Sequence, residues 1–259
     1  MDGVKIAAFD FDGTILFDGG IAEDTLDAIH GFQEAGNLAV AATGRSLATA
    51  RFATTRFGLD FDYLVLNTGA VLADRDDTVL AKRFLDFSLV EDVVDTLSRH
   101  EGIALYGTTL TGRDSCFYHG VGFTKSGIVP DFQQANVHEM AGENFIGIPI
   151  WVPRDRPKLR AIIDEITATW DVECTTNQDF IDIIPTGSTK GNGLLGLIDH
   201  LGMRREDVKL VTFGDSWNDL SMHAIADRSF SFPWSPADVR AQTSFVTESV
   251  VAGLSLIDG

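Results

Sequence analysis

The 259-residue sequence predicts an α/β protein with a doubly wound parallel sheet and an inserted α+β domain. Short apolar runs alternate with amphipathic helical segments near both ends of the chain, as they do in βαβ units. Between about residues 83 and 185 the alternation stops, and two helical segments lie among glycine-punctuated, strand-like pieces. We therefore expect residues 1–82 and 186–259 to form one core, and residues 83–185 to form an insertion of domain size.

The first part of the core has the order strand, helix, strand, helix, strand. Val4–Phe9 is an almost continuous apolar run, which is typical of a strand buried on both faces of a parallel sheet. From about Ala22 to Ala35, apolar residues recur at helical spacing, and Gly36 provides a stop signal. Two further strands are predicted around a helix over residues 46–57, at residues 38–43 and 63–67.

The βαβ alternation resumes after about Lys190. A helix over residues 192–202 precedes the apolar strand Val208–Asp215, and a second helix is predicted over residues 217–226. Short strands are expected near Phe230 and Phe245. In the insertion, helices are predicted over 87–100 and 156–170, with strands near 102–107, 115–123 and 144–152.

Composition narrows the classes of function. The formal net charge of −18 argues against nucleic acid, which is bound mainly through lysine and arginine contacts to phosphates. No apolar run reaches the length of a membrane span, and the N-terminus lacks a signal-peptide pattern. Cys116 and Cys174 form neither a disulfide framework nor a metal-binding spacing, so we expect a cytoplasmic protein. An anionic substrate would need positive charge placed locally.

Polar stretches lie where predicted strands end or where a helix begins. They are DFDGT (10–14), TGR (43–45), STKG (188–191) and GDSWND (214–219). Ligands of open parallel sheets bind beyond the carboxyl ends of the strands. The following side chains should therefore meet at one sheet edge: Asp10, Asp12, Thr43, Lys190, Asp215 and Asp219.

Each stretch also has a purely structural interpretation. The DxDG sequence could be a calcium loop, but an EF-hand needs Gly at its sixth position and Glu at its twelfth, where this chain has Ile21. TGR could be an ordinary turn, Lys190 a solvated lysine, and Asp215 and Asp219 acids that favour a helix N-terminus. The four stretches together favour a shared chemistry.

That chemistry is phosphoryl transfer with a divalent cation. Mg²⁺ takes carboxylate oxygens and bridges to phosphates, and it lets neighbouring carboxylates remain ionised. Lys190, together with the hydroxyl and backbone N–H groups at Thr43 and Gly44, would stabilise phosphoryl oxygens. A carboxylate can act as the nucleophile and form an acyl phosphate.

These four stretches resemble the motifs of the haloacid dehalogenase superfamily of phosphatases. Their order and the place of the insertion resemble Cof-like sugar-phosphate phosphatases, which have a Rossmann-like core and a C2-type cap. The resemblance implies that Asp10 is the nucleophile and Asp12 the general acid and then base. It implies that Thr43, Gly44 and Lys190 hold the phosphoryl group.

The resemblance also implies a Mg²⁺ site. Asp10, the backbone carbonyl of Asp12 and Asp215 would bind the metal, with Asn218 and Asp219 in support or replacing a water ligand. Asp12, two residues after the nucleophile, resembles the residue that phosphatases and phosphomutases have at that position. Dehalogenases need no proton donor there, and P-type ATPases have Thr. Arg45 is a candidate contact for the leaving group.

The resulting hypothesis is a Mg²⁺-dependent phosphatase of small phosphorylated metabolites, chiefly sugar phosphates. The alternatives are a phosphohexomutase of the same superfamily, which returns the phosphoryl group to another hydroxyl, and a silent sugar-phosphate-binding regulator. Two loops depart from the family pattern: Thr68 follows Asn67 where Gly is usual, and Pro233–Trp234 replaces an Asn-Ala loop. The sequence does not predict an oligomeric state.

Overall fold

A computed structural model of the protein describes residues 4–110, 114–122 and 132–257. The chain divides into two compact units. The core unit is Met1–Lys82 with Thr189–Gly259, and the inserted unit is Arg83–Ser188. In the described part of the chain, no helix combines the length and apolar character needed to cross a membrane.

The core unit begins with alternating strands and helices. Helix α1 has Glu23 and Asp24 in its first turn, where acids favour the helix dipole. Helix α2 is capped by the Ser46 side chain, which accepts from the Thr49 N–H. The elements are β1 (Val4–Phe9), α1 (Glu23–Glu34), β2 (Leu38–Ala42), α2 (Leu47–Thr54), β3 (Tyr63–Leu66), β4 (Val71–Asp74) and β5 (Val79–Lys82).

The helix predicted over residues 46–57 ends early. Helix α2 stops at Thr54, and a 3₁₀ turn follows over Thr55–Phe57. Gly58 then adopts a left-handed conformation with φ of 68°, which is the usual way to end a helical segment.

In its described residues, the inserted unit consists of a six-stranded sheet with two α-helices. Its strands lie in the order β10-β11-β9-β6-β7-β8, antiparallel except for the parallel pair β7 and β8. Both helices pack on the sheet through a buried cluster that includes Val93, Ile148 and Ile162. The elements are α3 (Phe87–Leu97), β6 (Ala104–Thr109), β7 (Asp114–His119), β8 (Phe132–Gln134), β9 (Phe145–Trp151), α4 (Arg156–Thr169), β10 (Glu173–Asn177) and β11 (Phe180–Ile184).

The last part of the chain returns to the core unit. The helix predicted over 217–226 is a 3₁₀ turn, Trp217–Asp219, followed by one short helical turn. The elements are α5 (Lys190–His200), β12 (Val208–Phe213), α6 (Leu220–His223), β13 (Arg228–Ser231), α7 (Ala237–Arg240), β14 (Phe245–Val246) and α8 (Val250–Leu254).

The core sheet confirms the predicted α/β fold class. Its strand order is β14-β13-β12-β1-β2-β3-β4-β5, and neighbours from β14 to β3 are parallel. The chain moves from β1 toward β2 on one side and has β12 on the other, so the carboxyl ends of β1 and β12 flank the point where the strand order reverses. Such a switch point is where ligands bind in open α/β sheets.

The edge of the core sheet differs from the prediction. Strands β4 and β5 were not predicted, and they pair antiparallel with β3 and with each other. The reversal follows β3, where Asn67 and Thr68 have φ of 48° and 57°. Such left-handed conformations are uncommon for residues other than glycine, and β4 and β5 are only four residues each, too short for a clear period.

Candidate active site

Asp10 and Lys190 form the centre of the site, although they are far apart in the sequence. The Asp10 N–H donates to the Phe213 carbonyl at 2.9 Å, which ties the residue after β1 to the end of β12. The Lys190 Nζ donates to Asp10 Oδ1 and to Asp219 Oδ1, both at 2.6 Å. Lys190 is the first residue of α5 and is 0% exposed, so it is not a solvated surface lysine.

Asp219 is held by a capping box. Its Oδ2 accepts from the Ser216 N–H at 2.9 Å, while the Ser216 side chain accepts from the Asp219 backbone. Because Oδ1 accepts from Lys190, each Asp219 oxygen has a donor. The residue is fully buried. These contacts favour the supporting role over a role as the main metal ligand.

Asp215 and Asn218 each carry a buried oxygen that needs a partner. Among the described residues, neither Asp215 Oδ1 nor Asn218 Oδ1 has a hydrogen-bond donor. Carboxylate oxygens of Asp10, Asp215 and Asp219 also lie within 4.8 Å of one another. Oxygen atoms that have no hydrogen-bond partner among the described residues and lie beside clustered carboxylates are suitable ligands for a Mg²⁺ ion.

The charge balance supports a cation at the same place. Burial raises the pKa of Asp10, against the opposing pull of Lys190. Burial, followed by repulsion from Asp219, raises the pKa of Asp215 to about 7. Burial would lower the pKa of Lys190, but Asp10 and Asp219 outweigh it and the pKa rises. One lysine therefore does not neutralise three acids, and a divalent ion would.

Gly13 lets the turn after Asp12 approach this cluster. Its φ is 86°, and a Cβ at this position would lie 2.5 Å from Asp215 Oδ2. A side chain here would displace that carboxylate, so glycine is required by both backbone conformation and space.

Asp12 and Arg45 form a bidentate ion pair. The Arg45 Nε donates to Asp12 Oδ2 at 2.8 Å, and Nη2 donates to Oδ1 at 2.6 Å. The hydrogen bond to Asp12 is the main reason that the pKa of Arg45 is raised. The sequence predicts Arg45 as a leaving-group contact, whereas here its guanidinium holds the proposed acid–base residue. That pairing was not predicted, because it depends on how the turn after β2 folds beside β1.

Thr43 and Gly44 follow β2, next to the end of β1. Phe9 is level with Ala41 in the sheet, which places Thr43 at the same edge as Asp10. The buried Thr43 Oγ1 accepts from the Arg45 N–H at 3.2 Å. Thr68 borders this turn, since a Cβ on Gly44 would lie 3.5 Å from Thr68 Oγ1. In the sequence, Thr68 is marked only by its departure from the family pattern, in which Gly is usual at that position.

The loop after β13 reaches the same edge. The Trp234 Nε1 donates to the Gly13 carbonyl at 2.8 Å. Trp234 lies in the second loop that departs from the family pattern, and no role for it follows from the sequence.

Comparison with known proteins gives the family. A sequence profile of haloacid dehalogenase-like hydrolases matches residues 7–253. An HMP-PP phosphatase of Enterobacter sp. (strain 638) is 25% identical over 228 residues, covering 84% of this chain and 80% of that protein. An HMP-PP phosphatase of Yersinia pseudotuberculosis (serotype O:1b, strain IP 31758) is 28% identical, with the same coverage.

Solved structures share the fold. A haloacid dehalogenase-like hydrolase from B. subtilis has a TM-score of 0.82 and 18% identity, covering 98% of this chain and 99% of its own. A sugar phosphatase of subclass IIB in the same superfamily has a TM-score of 0.78 and 20% identity, covering 98% and 97%. Both the sheet and the inserted unit thus have counterparts in known hydrolases.

Proposed function

Because the chain belongs to the haloacid dehalogenase-like hydrolase family and is a phosphatase, we propose that it depends on Mg²⁺ and forms an aspartyl-phosphate. Small phosphomonoesters are the proposed substrates, with sugar phosphates first, as the subclass IIB neighbour is a sugar phosphatase. The insertion predicted over residues 83–185, which corresponds to the inserted unit Arg83–Ser188, would act as the substrate-selecting cap. The observation that carries the proposal is the buried acidic cluster around Lys190, with oxygens that have no hydrogen-bond donor in the part of the chain that the structure describes.

Asp10 is the proposed nucleophile. Lys190 holds its Oδ1 at 2.6 Å, which fixes the carboxylate and leaves Oδ2 to attack the phosphorus. The ester P–O bond breaks, and the leaving alcohol takes a proton from Asp12. Water then attacks the phosphorus of the aspartyl-phosphate while Asp12 accepts its proton. The bond between Asp10 Oδ2 and phosphorus breaks, which restores the Asp10 carboxylate and releases inorganic phosphate.

Arg45 affects the two steps in opposite ways. Its bidentate pair with Asp12 suits the carboxylate that accepts a proton from water. Before Asp12 can donate a proton to the leaving group, that pair must open. Thr43, Gly44 and Lys190 would meanwhile orient the phosphoryl oxygens.

Asp10, the Asp12 carbonyl, Asp215 and Asn218 would hold Mg²⁺, and Asp219 would support them. When bound, the ion would neutralise the carboxylates and the phosphoryl oxygens. Lys190 alone leaves an excess of negative charge, which would repel a phosphate.

The test is release of inorganic phosphate with Mg²⁺ and with EDTA. The panel should contain sugar phosphates, nucleotides, an aryl phosphate and HMP-PP, the compound that appears in the names of the bacterial relatives. Asp10→Asn should abolish turnover, whereas Asp27→Asn, the same change on the exposed side of α1, should leave it unchanged.

Appreciable turnover by Asp10→Asn under saturating Mg²⁺ would contradict the proposed nucleophile. Conversion of a sugar phosphate into an isomer that keeps its phosphate would indicate a mutase. Stabilisation by a sugar phosphate without any turnover would indicate a silent binder.

A further inference from the structure

Two half-exposed aromatic rings stand at the edge of the candidate site. Phe17 is 48% exposed and Trp234 is 49% exposed. Their ring centroids are 5.7 Å apart and their planes meet at 81°, so they form a right-angled corner. We refer to Phe17 and Trp234 as the aromatic corner. The buried ring of Phe232 stacks on Trp234 with centroids 4.8 Å apart and an angle of 5°, which supports the indole from one side.

The aromatic corner is tied directly to the catalytic turn. The Trp234 Nε1 donates to the carbonyl of Gly13, the residue after Asp12. Gly13 in turn lies against Asp215, since a Cβ there would be 2.5 Å from Asp215 Oδ2. Phe17 follows the same turn and is held by paired backbone hydrogen bonds with Gly20, at 3.1 and 2.8 Å. The corner is therefore held by hydrogen bonds to the turn that directly follows Asp12.

Such a surface has the properties of a specificity site. Covering the exposed area of a large aromatic side chain is favourable. Ligand sites combine aromatic walls with a few polar groups that anchor the ligand. Here the anchor for the phosphoryl group is polar and buried, while the neighbouring wall is apolar, fixed and open. A ligand anchored at Asp10 would bring whatever is attached to its phosphate next to this wall.

We propose that the aromatic corner binds the flat face of a ring in the leaving group, with Trp234 as the stacking residue. This rests on the proposed phosphatase function and narrows its substrates to esters whose alcohol carries a ring close to the phosphate. A sugar ring and an aromatic ring both offer such a face, and the experiment separates them.

The experiment compares pairs of esters that differ in the ring. Glucose 6-phosphate and sorbitol 6-phosphate differ in ring against open chain, and benzyl phosphate and hexyl phosphate offer the aromatic counterpart. The wild type should have the higher kcat/KM for the ring member of at least one pair. Trp234→Leu should reduce that preference about three- to tenfold, the range expected for loss of aromatic stacking, mostly through KM.

Matched variants separate stacking from folding. Trp234→Phe keeps a ring but lacks the N–H to Gly13, so it should retain most of the preference. Phe245→Leu, the loss of an aromatic ring that is 41% exposed on β14, should leave the ratio unchanged. Near-ultraviolet circular dichroism and thermal unfolding should show that each variant is folded.

Binding can be measured without turnover. If the preferred ring is aromatic, benzylphosphonate should bind more tightly than hexylphosphonate in calorimetry with Mg²⁺. Trp234→Leu should remove the difference. Failure of all hydrolysis would overturn the proposed function but not this binding result. A ratio unchanged by Trp234→Leu in both ester pairs and in calorimetry would overturn the proposal. This holds even if ring and open-chain ligands lose equally, because an equal loss is the result expected of a purely structural role for Trp234 at the Gly13 turn.

Discussion

Replacing Lys190 by methionine should destabilise the protein strongly when no metal is present. Lys190 is fully buried, and its Nζ lies 2.6 Å from carboxylate oxygens of both Asp10 and Asp219. Methionine has nearly the same length but no charge. The variant therefore leaves two buried carboxylates without their cation and creates little empty space.

The size of the destabilisation depends on whether the lost ion pair is exposed to water or buried. A lysine that paired two acids in water would contribute little, but removing one partner of a buried pair costs about 3–5 kcal/mol, because the remaining charge stays desolvated. Proton uptake by Asp10, whose pKa burial already raises, would limit the cost at low pH, so the full loss should be seen at about pH 8. Mg²⁺ should stabilise the variant more than the wild type, because the ion replaces the missing positive charge.

Urea unfolding at pH 8 in EDTA measures this free energy. A double-mutant cycle with Asp219→Asn separates the interaction from the two single effects, and the double variant should cost less than the sum of the single variants. Arg204→Met is the control within the core unit: its ion pairs with Glu206 and Asp207 are on the surface, so the midpoint should barely move.

Two results would refute this reasoning. One is an unfolding free energy of Lys190→Met in EDTA within about 1 kcal/mol of the wild type, well below the cost of breaking a buried pair. The other is strict additivity with Asp219→Asn, which would mean that the two side chains are not coupled across their 2.6 Å contact.

Two further predictions concern Asp215 and Gly69. The pKa of Asp215 is raised from 3.8 to about 7, so its contribution to stability is fully present below about pH 4 and is lost as the pH rises to about 7. Urea titrations in EDTA should show this slope, to which Asp10, whose pKa is also raised, adds in the same direction. Asp215→Asn and Mg²⁺ should each reduce the slope; an identical slope in the variant would rule Asp215 out as a source. Gly69→Ala should destabilise the core unit by about 2–4 kcal/mol, because its φ is 104° and the new Cβ would lie 2.1 Å from the Thr189 carbonyl, just before Lys190. Gly36→Ala, at a glycine with φ of 82° and open space around it, measures the backbone strain alone. If thermal unfolding shows the same loss of stability for both variants, the clash at Gly69 is disproved.

Much of the core could be predicted from the sequence, because the information is local. Apolar runs such as Val4–Phe9 and Val208–Phe213 mark buried parallel strands, and polar residues after such runs must lie at one sheet edge. The convergence of Asp10 and Lys190, which are 180 residues apart, follows from that rule together with a helix that begins at the same edge. Strands β4 and β5 escaped prediction because they are only four residues each, too short for a clear period. In addition, Thr68 at the reversal adopts a left-handed conformation that is uncommon for a β-branched residue.

The partners of each side chain were decided by the tertiary structure. Asp12 pairs with Arg45 and Asp219 with Lys190, while Asp215 Oδ1 has no hydrogen-bond donor within residues 4–110, 114–122 and 132–257. Trp234 reaches Gly13 across 221 positions of sequence. A period in the sequence fixes where a strand ends, but the donor that a carboxylate meets depends on strand register and rotamers set by packing. The sequence alone therefore determined the fold class and the chemical character of the site, and only the folded chain determined which charges are balanced and what lies beside them.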